Sequence, residues 1–174
     1  RIKSVDSSTQ LSLYEPVQLA FNTADSAVIA KVTPVQNVVF SNCRFIGANN
    51  LTQSQNALYI QYGENCRVES CRFEYFDYLA VGMFRCYKSI ADKVSVFAAR
   101  NSGNAYGIGI FGGSYACSVV NGFGEDTRHY VTVGDNDGVN MNTLVNGCNI
   151  VSSKDAGLDS HAAGMFTTFS NNII

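Results

Sequence analysis

Two titratable groups of different type stand two residues apart in Ala156-Gly157-Leu158-Asp159-Ser160-His161-Ala162-Ala163-Gly164. On a strand, where side chains alternate with a period of two, Asp159 and His161 share one face and Leu158 and Ser160 the other. A carboxylate beside an imidazole is a general acid/base pair, and the small residues around it leave room for a substrate. The same three residues also suit a polar loop or a solvated strand face. A second titratable group lies upstream, where Glu125-Asp126-Thr127-Arg128-His129 leads into Tyr130-Val131-Thr132-Val133-Gly134. These two stretches hold both histidines of the chain. Their chemistry depends on whether the fold stacks one on the other.

Internal repeats supply the stacking. Phe40-Ser41-Asn42-Cys43-Arg44-Phe45 aligns with Val68-Glu69-Ser70-Cys71-Arg72-Phe73 and with Ile90-Ala91-Asp92-Lys93-Val94. Val119 to Phe123, Val145 to Ile150 and Phe169 to Ile173 continue the series. Each is a short apolar strand meeting a small polar residue (Asn42, Ser70, Asp92, Asn121, Asn146/Gly147, Asn171), at intervals of about 22 to 29 residues. A second ladder runs in phase: Leu58 to Gly63, Leu79 to Gly82, Ile108 to Gly112, Tyr130 to Gly134 and Gly157 to His161. Recurring aliphatic, Asn and Cys positions are what stacked coils produce, because each side chain packs on its equivalent one coil away. The repeats predict an all-β parallel solenoid of coils of about 22–29 residues. Residues 1–174 read as one domain. Residues 1–36 are expected to form opening coils, with strands at Ser12-Leu13-Tyr14 and Ala27 to Val32. A β-sandwich also offers short strands with turns, but gives no reason for in-phase Asn and Cys columns.

Composition agrees. Charged residues are 15% of the chain and proline is scarce, which suits short strands joined by polar turns and argues against a helical bundle. A net charge of -2 leaves no polybasic footprint for nucleic acid or an anionic membrane. No apolar run approaches the length of a membrane span, and no signal peptide is visible. With Arg1 at its start, the chain is expected to be a piece of a longer polypeptide. Six cysteines permit 15 disulfide connectivities, but none has C-x-x-C zinc spacing. The repeats give them a role as small buried thiols of a reducing compartment, with Cys43, Cys71 and Cys148 in one column and Cys66, Cys86 and Cys117 in another. No metal or cofactor is expected.

The ladders, the Val38-Val39-Phe40-Ser41-Asn42-Cys43-Arg44-Phe45 type of repeat and the Asx turns resemble those of the pectate-lyase-like parallel β-helix proteins. Within that group the chain is most similar to bacteriophage tailspike and appendage proteins. The resemblance implies a right-handed, single-stranded parallel β-helix. It also implies a homotrimer carried on the virion tail that binds and depolymerises a bacterial surface polysaccharide such as capsule, O-antigen or teichoic acid. A non-catalytic receptor-binding or structural shaft is the rival on the same fold. Asp159-Ser160-His161 also resembles the D-P-H motif of alginate epimerases and lyases, with Ser160 in place of the proline and Ala156 in place of a tyrosine. That departure leaves the proton donor's role to His129, Tyr130 or a group outside the chain.

In the aligned ladders Asp159 follows Thr132 and Gln61 outward, and His161 takes the place of Gly63 and Gly134. Coils stack about 4.8 Å apart, which brings Arg128 and His129 toward Asp159 and His161. Two mechanisms suit this set. In elimination, His161 or His129 removes a proton α to a uronate carboxylate, Arg128 offsets the charge and Asp159 orients the imidazole. In hydrolysis, Asp159 pairs with Asp155, Asp135, Asp137, Glu125 or Asp126. Tyr59, Tyr75, Tyr78, Tyr106 and Tyr130 are candidate sugar-stacking rings. Gly107-Ile108-Gly109-Ile110-Phe111-Gly112 fits a dinucleotide fingerprint in letters only, since a strand and not a helix follows; these glycines are expected to narrow the coil or open a groove. Asp135-Asn136-Asp137-Gly138 reads as a polar turn and lacks calcium-loop spacing.

Overall fold

The computed structural model describes residues 2–7, 10–13, 32–48, 55–99, 105–135, 137–161 and 163–174. Among these there is no helix. The chain divides into two compact units, residues 1–32 and 33–174. In the first, Ile2–Ser7 pairs antiparallel with Gln10–Leu13. The expected parallel opening coils are thus replaced by a hairpin at this point. Only residues 8 and 9 separate the two strands, and a parallel pairing would need a crossover of a dozen or more residues. Ser12 and Leu13 are in strand as expected; Tyr14 and residues 27–31 of the other expected strand lie outside the described residues.

The second unit is a parallel β-helix built of three walls. The first wall stacks Asn56–Gln61, Leu79–Phe84, Tyr106–Phe111, His129–Val133 and Leu158–Ser160. The second stacks Val39–Ser41, Arg67–Glu69, Ile90–Asp92, Ser118–Val120, Leu144–Asn146 and Thr168–Ser170. The third stacks Arg44–Ile46, Arg72–Glu74, Ser95–Phe97, Phe123–Glu125 and Asn149–Val151. A narrow strip joins the first wall to the second through bridges from Glu64 to Tyr87, Tyr115 and Met141. Every pairing between the strands of these walls is parallel, and Val39, Arg67, Ile90, Ser118, Leu144 and Thr168 are successive equivalents. The coils therefore run from 23 to 28 residues, inside the expected range.

The corners explain the polar ladder. Every non-glycine residue of positive φ among the described residues falls on one of four corner columns. Between the second and third walls the column is Asn42, Ser70, Lys93, Asn121, Gly147 and Asn171, with φ between 53° and 68°. Asn and Gly recur there because they tolerate the left-handed conformation best. The third member corrects the alignment by one residue, since Lys93 and not Asp92 turns the corner. Directly after this corner come Cys43, Cys71 and Cys148, as expected, and the equivalent positions are filled by Val94, Gly122 and Asn172. Cys66 and Cys117 follow a different corner, at Asn65 and Ala116, whereas Cys86 follows Arg85. The three therefore occupy two columns and not one. All six thiols are free; five are buried and Cys43 is exposed. Burial pushes the Cys86 thiol up to about 11 and that of Cys117 to about 12.

Inside the helix, Phe40, Val68, Ala91, Val119, Val145 and Phe169 stack along the second wall. Phe45 and Phe73 stack along the third with ring centroids 4.7 Å apart. The third wall carries Gly124 where its neighbours carry Phe73, Val96 and Ile150. The space belongs to Tyr130: a Cβ on Gly124 would lie 2.5 Å from its ring, and one on Gly122 would collide with its hydroxyl. Tyr130 thus crosses the core from the first wall, and its hydroxyl donates to the Val94 carbonyl at 2.7 Å.

Candidate functional site

The first wall differs from the other two on its outer face. Its register sets Tyr59, Gly82, Gly109, Thr132 and Asp159 in one outward column. Asp159 therefore aligns with Thr132 as expected, but with Tyr59 and not Gln61 in the first coil. Leu158 and Ser160 pair with Val131 and Val133 on the inward phase, as the alternation required. The two glycines are there for rings. A Cβ on Gly82 would lie 2.7 Å from the Tyr59 ring, and one on Gly109 would lie 2.6 Å from Phe111 Cζ and 2.8 Å from Leu79. At Gly112, φ is +70° and a Cβ would meet the Phe84 ring at 2.7 Å. Gly109 and Gly112 of the false dinucleotide fingerprint are thus seats for aromatic side chains lying over the strand, whereas Gly107 admits the Tyr130 backbone, whose carbonyl oxygen would lie 2.5 Å from an added Cβ.

The result is a cleft of about 580 Å³ lined by Tyr78, Tyr106, Phe111, Thr132, Asp135 and His161, among others. At one side of it Nε2 of His161 lies 2.5 Å from Asp159 Oδ2. The His161 side chain is half exposed. One coil earlier, His129 is buried, and its Nδ1 donates to the carbonyl of Ala156 at 2.6 Å. Its Nε2 lies 3.8 Å from Asp159 Oδ2 and 3.8 Å from Asp155 Oδ2. Both imidazoles therefore converge on the single carboxylate of Asp159. Arg128 reaches Asp155 at 3.5 Å and donates to the Tyr106 hydroxyl at 3.2 Å. The Tyr106 ring stacks on His129 at 5.6 Å with an interplanar angle of 11°. Tyr106 and the Ala156 carbonyl thus hold His129 in place from two sides.

Among the expected site residues, Asp159, His161, Arg128, His129 and Asp155 are brought together, and Asp135 lines the cleft beside them. Asp135 Oδ1 accepts from the backbone N–H of Gly112 at 3.0 Å and of Asp137 at 3.2 Å. Asp137 itself is exposed on the turn that Asp135 and Gly138 close. Two expectations are corrected. Tyr130 is not part of the cleft's lining, because Gly122 and Gly124, just before it in the chain, leave room for its ring in the core. Glu125 stands on the third wall, in a separate hollow of about 180 Å³ with Arg72 and Asp126, because its strand follows a different corner. Asp126 ion-pairs with Lys154 at 4.0 Å. Of the candidate rings, Tyr78 and Tyr106 line the cleft and Tyr59 extends its wall; Tyr75 lies in the third-wall hollow. Phe111 and Thr132 were not among the expected residues. The signal for Phe111 was present as the two glycines that flank it at Gly109 and Gly112.

Burial, then neighbouring tyrosines, then Asp135 and Asp137 hold the phenols of Tyr59 and Tyr78 above their ordinary value. No group of three or more His, Cys, Asp or Glu among the described residues is arranged to hold a metal ion. No helix among them is long and apolar enough to cross a membrane.

No protein-family model, curated protein or solved structure matches this chain. The site's meaning therefore rests on its geometry.

Proposed function

We propose that the chain binds a polysaccharide along the outer face of the first wall and hydrolyses it beside Asp159 and His161. The observation that carries this reading is the 2.5 Å Asp159–His161 pair at the edge of an aromatic-lined cleft. An imidazole held by a carboxylate is a general base whose protonated form that carboxylate stabilises. His161 Nδ1 takes a proton from water as the water oxygen bonds to the anomeric carbon. A second carboxyl, that of Asp155, delivers a proton to the departing glycosidic oxygen as the C–O bond breaks. His129 touches no substrate in this scheme and serves as a positioning residue beneath Asp159.

Elimination is less well supported than hydrolysis. It needs a cation to offset the uronate carboxylate, and Arg128 is engaged with Asp155 and the Tyr106 hydroxyl. The resemblance to phage tailspikes supports a bacterial surface polysaccharide as the target, with the chain assembled as a homotrimer on the virion tail. A binding-only role is favoured by one feature: Tyr59 is 45% exposed, stacks on Phe84 with ring centroids 6.0 Å apart, and offers a sugar platform needing no catalysis.

The test is incubation of the protein with host capsule or O-antigen. New reducing ends should appear without the ultraviolet absorbance of an unsaturated uronate, and His161→Ala should slow their release by about 10²–10⁴-fold. Unsaturated products would establish elimination instead. An unchanged polymer that still binds both wild type and variant would leave the binding role alone standing.

A further inference from the structure

The cleft contains a hydroxyl that the fold leaves without a partner. Thr132 lines the cleft and is 1% exposed, yet its Oγ1 makes no hydrogen bond. Its neighbours in the outward column are Gly109, which has no side chain, and Asp159, whose Oδ2 is taken by His161. Buried hydroxyls are ordinarily paired, so a site that maintains one unpaired is suited to a ligand that supplies the partner.

The charge around that hydroxyl is one-sided. Asp135 is pinned into the cleft by two backbone N–H groups. Asp159 and His161 form a pair: with His161 protonated they cancel and Asp135 remains, and with His161 neutral two carboxylates remain. Among the described residues, Arg128 is engaged by Asp155 and Tyr106, and Arg85 stands farther along the wall, over the Phe84 ring at 4.8 Å and donating to the Tyr62 hydroxyl at 2.6 Å. After burial and a neighbouring tyrosine, Asp135 and Asp137 also raise the phenol of Tyr78; at Tyr59 they do the same and Arg85 opposes them. A cleft with aromatic walls and an excess carboxylate attracts an ammonium group by ion pairing and by cation–π contact, and it repels a uronate.

We propose that this cleft takes a glycan bearing free, protonated amino groups, a non-acetylated hexosamine unit, with Asp135 as its counter-ion and Thr132 as a hydrogen-bond partner. The proposal rests on the glycan-binding reading above and narrows its substrate class. Tyr106 and Phe111 form the stacking walls, and the amino group lies toward Asp135, on the side of the cleft away from His129.

The experiment is calorimetric titration of the full chain with oligomers of glucosamine, of N-acetylglucosamine and of galacturonate, and with an oligolysine of similar charge. Glucosamine oligomers should bind at least about tenfold more tightly than acetylated ones, the worth of one charge-assisted hydrogen bond. Galacturonate should not bind. Asp135→Asn should erase the preference for the free amine. Thr132→Val, which keeps the shape and removes the hydroxyl, should weaken both hexosamine oligomers about threefold and leave the preference intact. Equal affinity for free and acetylated oligomers, an unchanged preference in Asp135→Asn, oligolysine binding as tight as the glycan, or no binding of any probe would overturn the proposal. Glucosamine oligomers that bind but release no reducing ends would sink the hydrolytic reading and leave this one standing. Cleavage of a neutral or acidic polymer without any amino preference would do the reverse.

Discussion

The first wall and the third are made from the same coils, yet they obey different rules. On the third wall the strands are three residues long, and in Ser95–Phe97 only the central Val96 is fully buried. One face packs on the core and the other meets water, as in any half-buried sheet. On the first wall, all five residues of His129–Val133 are buried, and so are five of the six in Tyr106–Phe111. Burial on both faces means that a second layer lies outside the helix. That layer consists of Tyr59, Phe84, Phe111, Tyr106 and Leu79 over the glycines that seat them. The comparison teaches that the third wall is there to close the solenoid, whereas the first has been rebuilt into a surface. Substitutions on the third wall's inner face should cost stability, and those on the first wall's outer face should cost the cleft.

Phe73→Ala gives the largest expected effect on stability. Its ring is fully buried between Phe45 and Phe76, and removal should cost about 3–5 kcal/mol in urea unfolding while the outer cleft of surviving native protein keeps its affinity. An equal loss of both would show that the two walls are not separable. Next comes Gly109→Ala. The added Cβ must displace the Phe111 ring or Leu79, at an expected cost of about 1–3 kcal/mol, and glycan affinity should fall more steeply than in Phe73→Ala. Retained affinity would mean that the aromatic layer does not shape the site.

The third wall also carries a test of its own outer face. Arg44 and Arg72 both hydrogen-bond the Glu74 carboxylate, and they hold it down at about 2 from an ordinary 4.5. A carboxyl depressed on folding contributes stability above its unfolded value, and that contribution disappears as the pH falls from about 4.5 toward about 2. Melting temperature followed through this window should drop less in Glu74→Gln than in wild type. Identical slopes would mean that the ion pairs contribute nothing. The smallest effect is expected at a corner. Ala98 turns the corner after the third wall with φ of 57°, and Ala98→Gly should stabilise by about 0.5–1 kcal/mol, the left-handed strain relieved less the extra chain entropy of glycine. A destabilised variant would show that the Ala98 methyl packs better than it strains.

Much of this was legible in the residues. The stacked coils, their length and the convergence of Arg128, His129, Asp159 and His161 followed from aligning the ladders, because parallel register places equivalent residues one strand spacing apart. The inward phase of Leu158 and Ser160 followed from alternation alone. Failures came where a side chain's direction depended on another wall. Tyr130 has the same phase as a cleft residue would require, but Gly122 and Gly124, on a different wall, open a hole that only tertiary stacking reveals. Glu125 is close in sequence to Arg128, yet a corner at Asp126 turns the chain between them.

By itself, then, the order of residues determined which positions repeat, and with them the solenoid, its corner asparagines and the neighbours one coil away. Periodicity is a local property, and a strand's partner in a parallel stack is simply its next repeat. Only the tertiary structure decided the cleft: which rings lie over which glycines, that His129 is buried while His161 is open, and that the Thr132 hydroxyl has no partner. Those depend on the distances between atoms of three or more coils, and no spacing along one chain contains them.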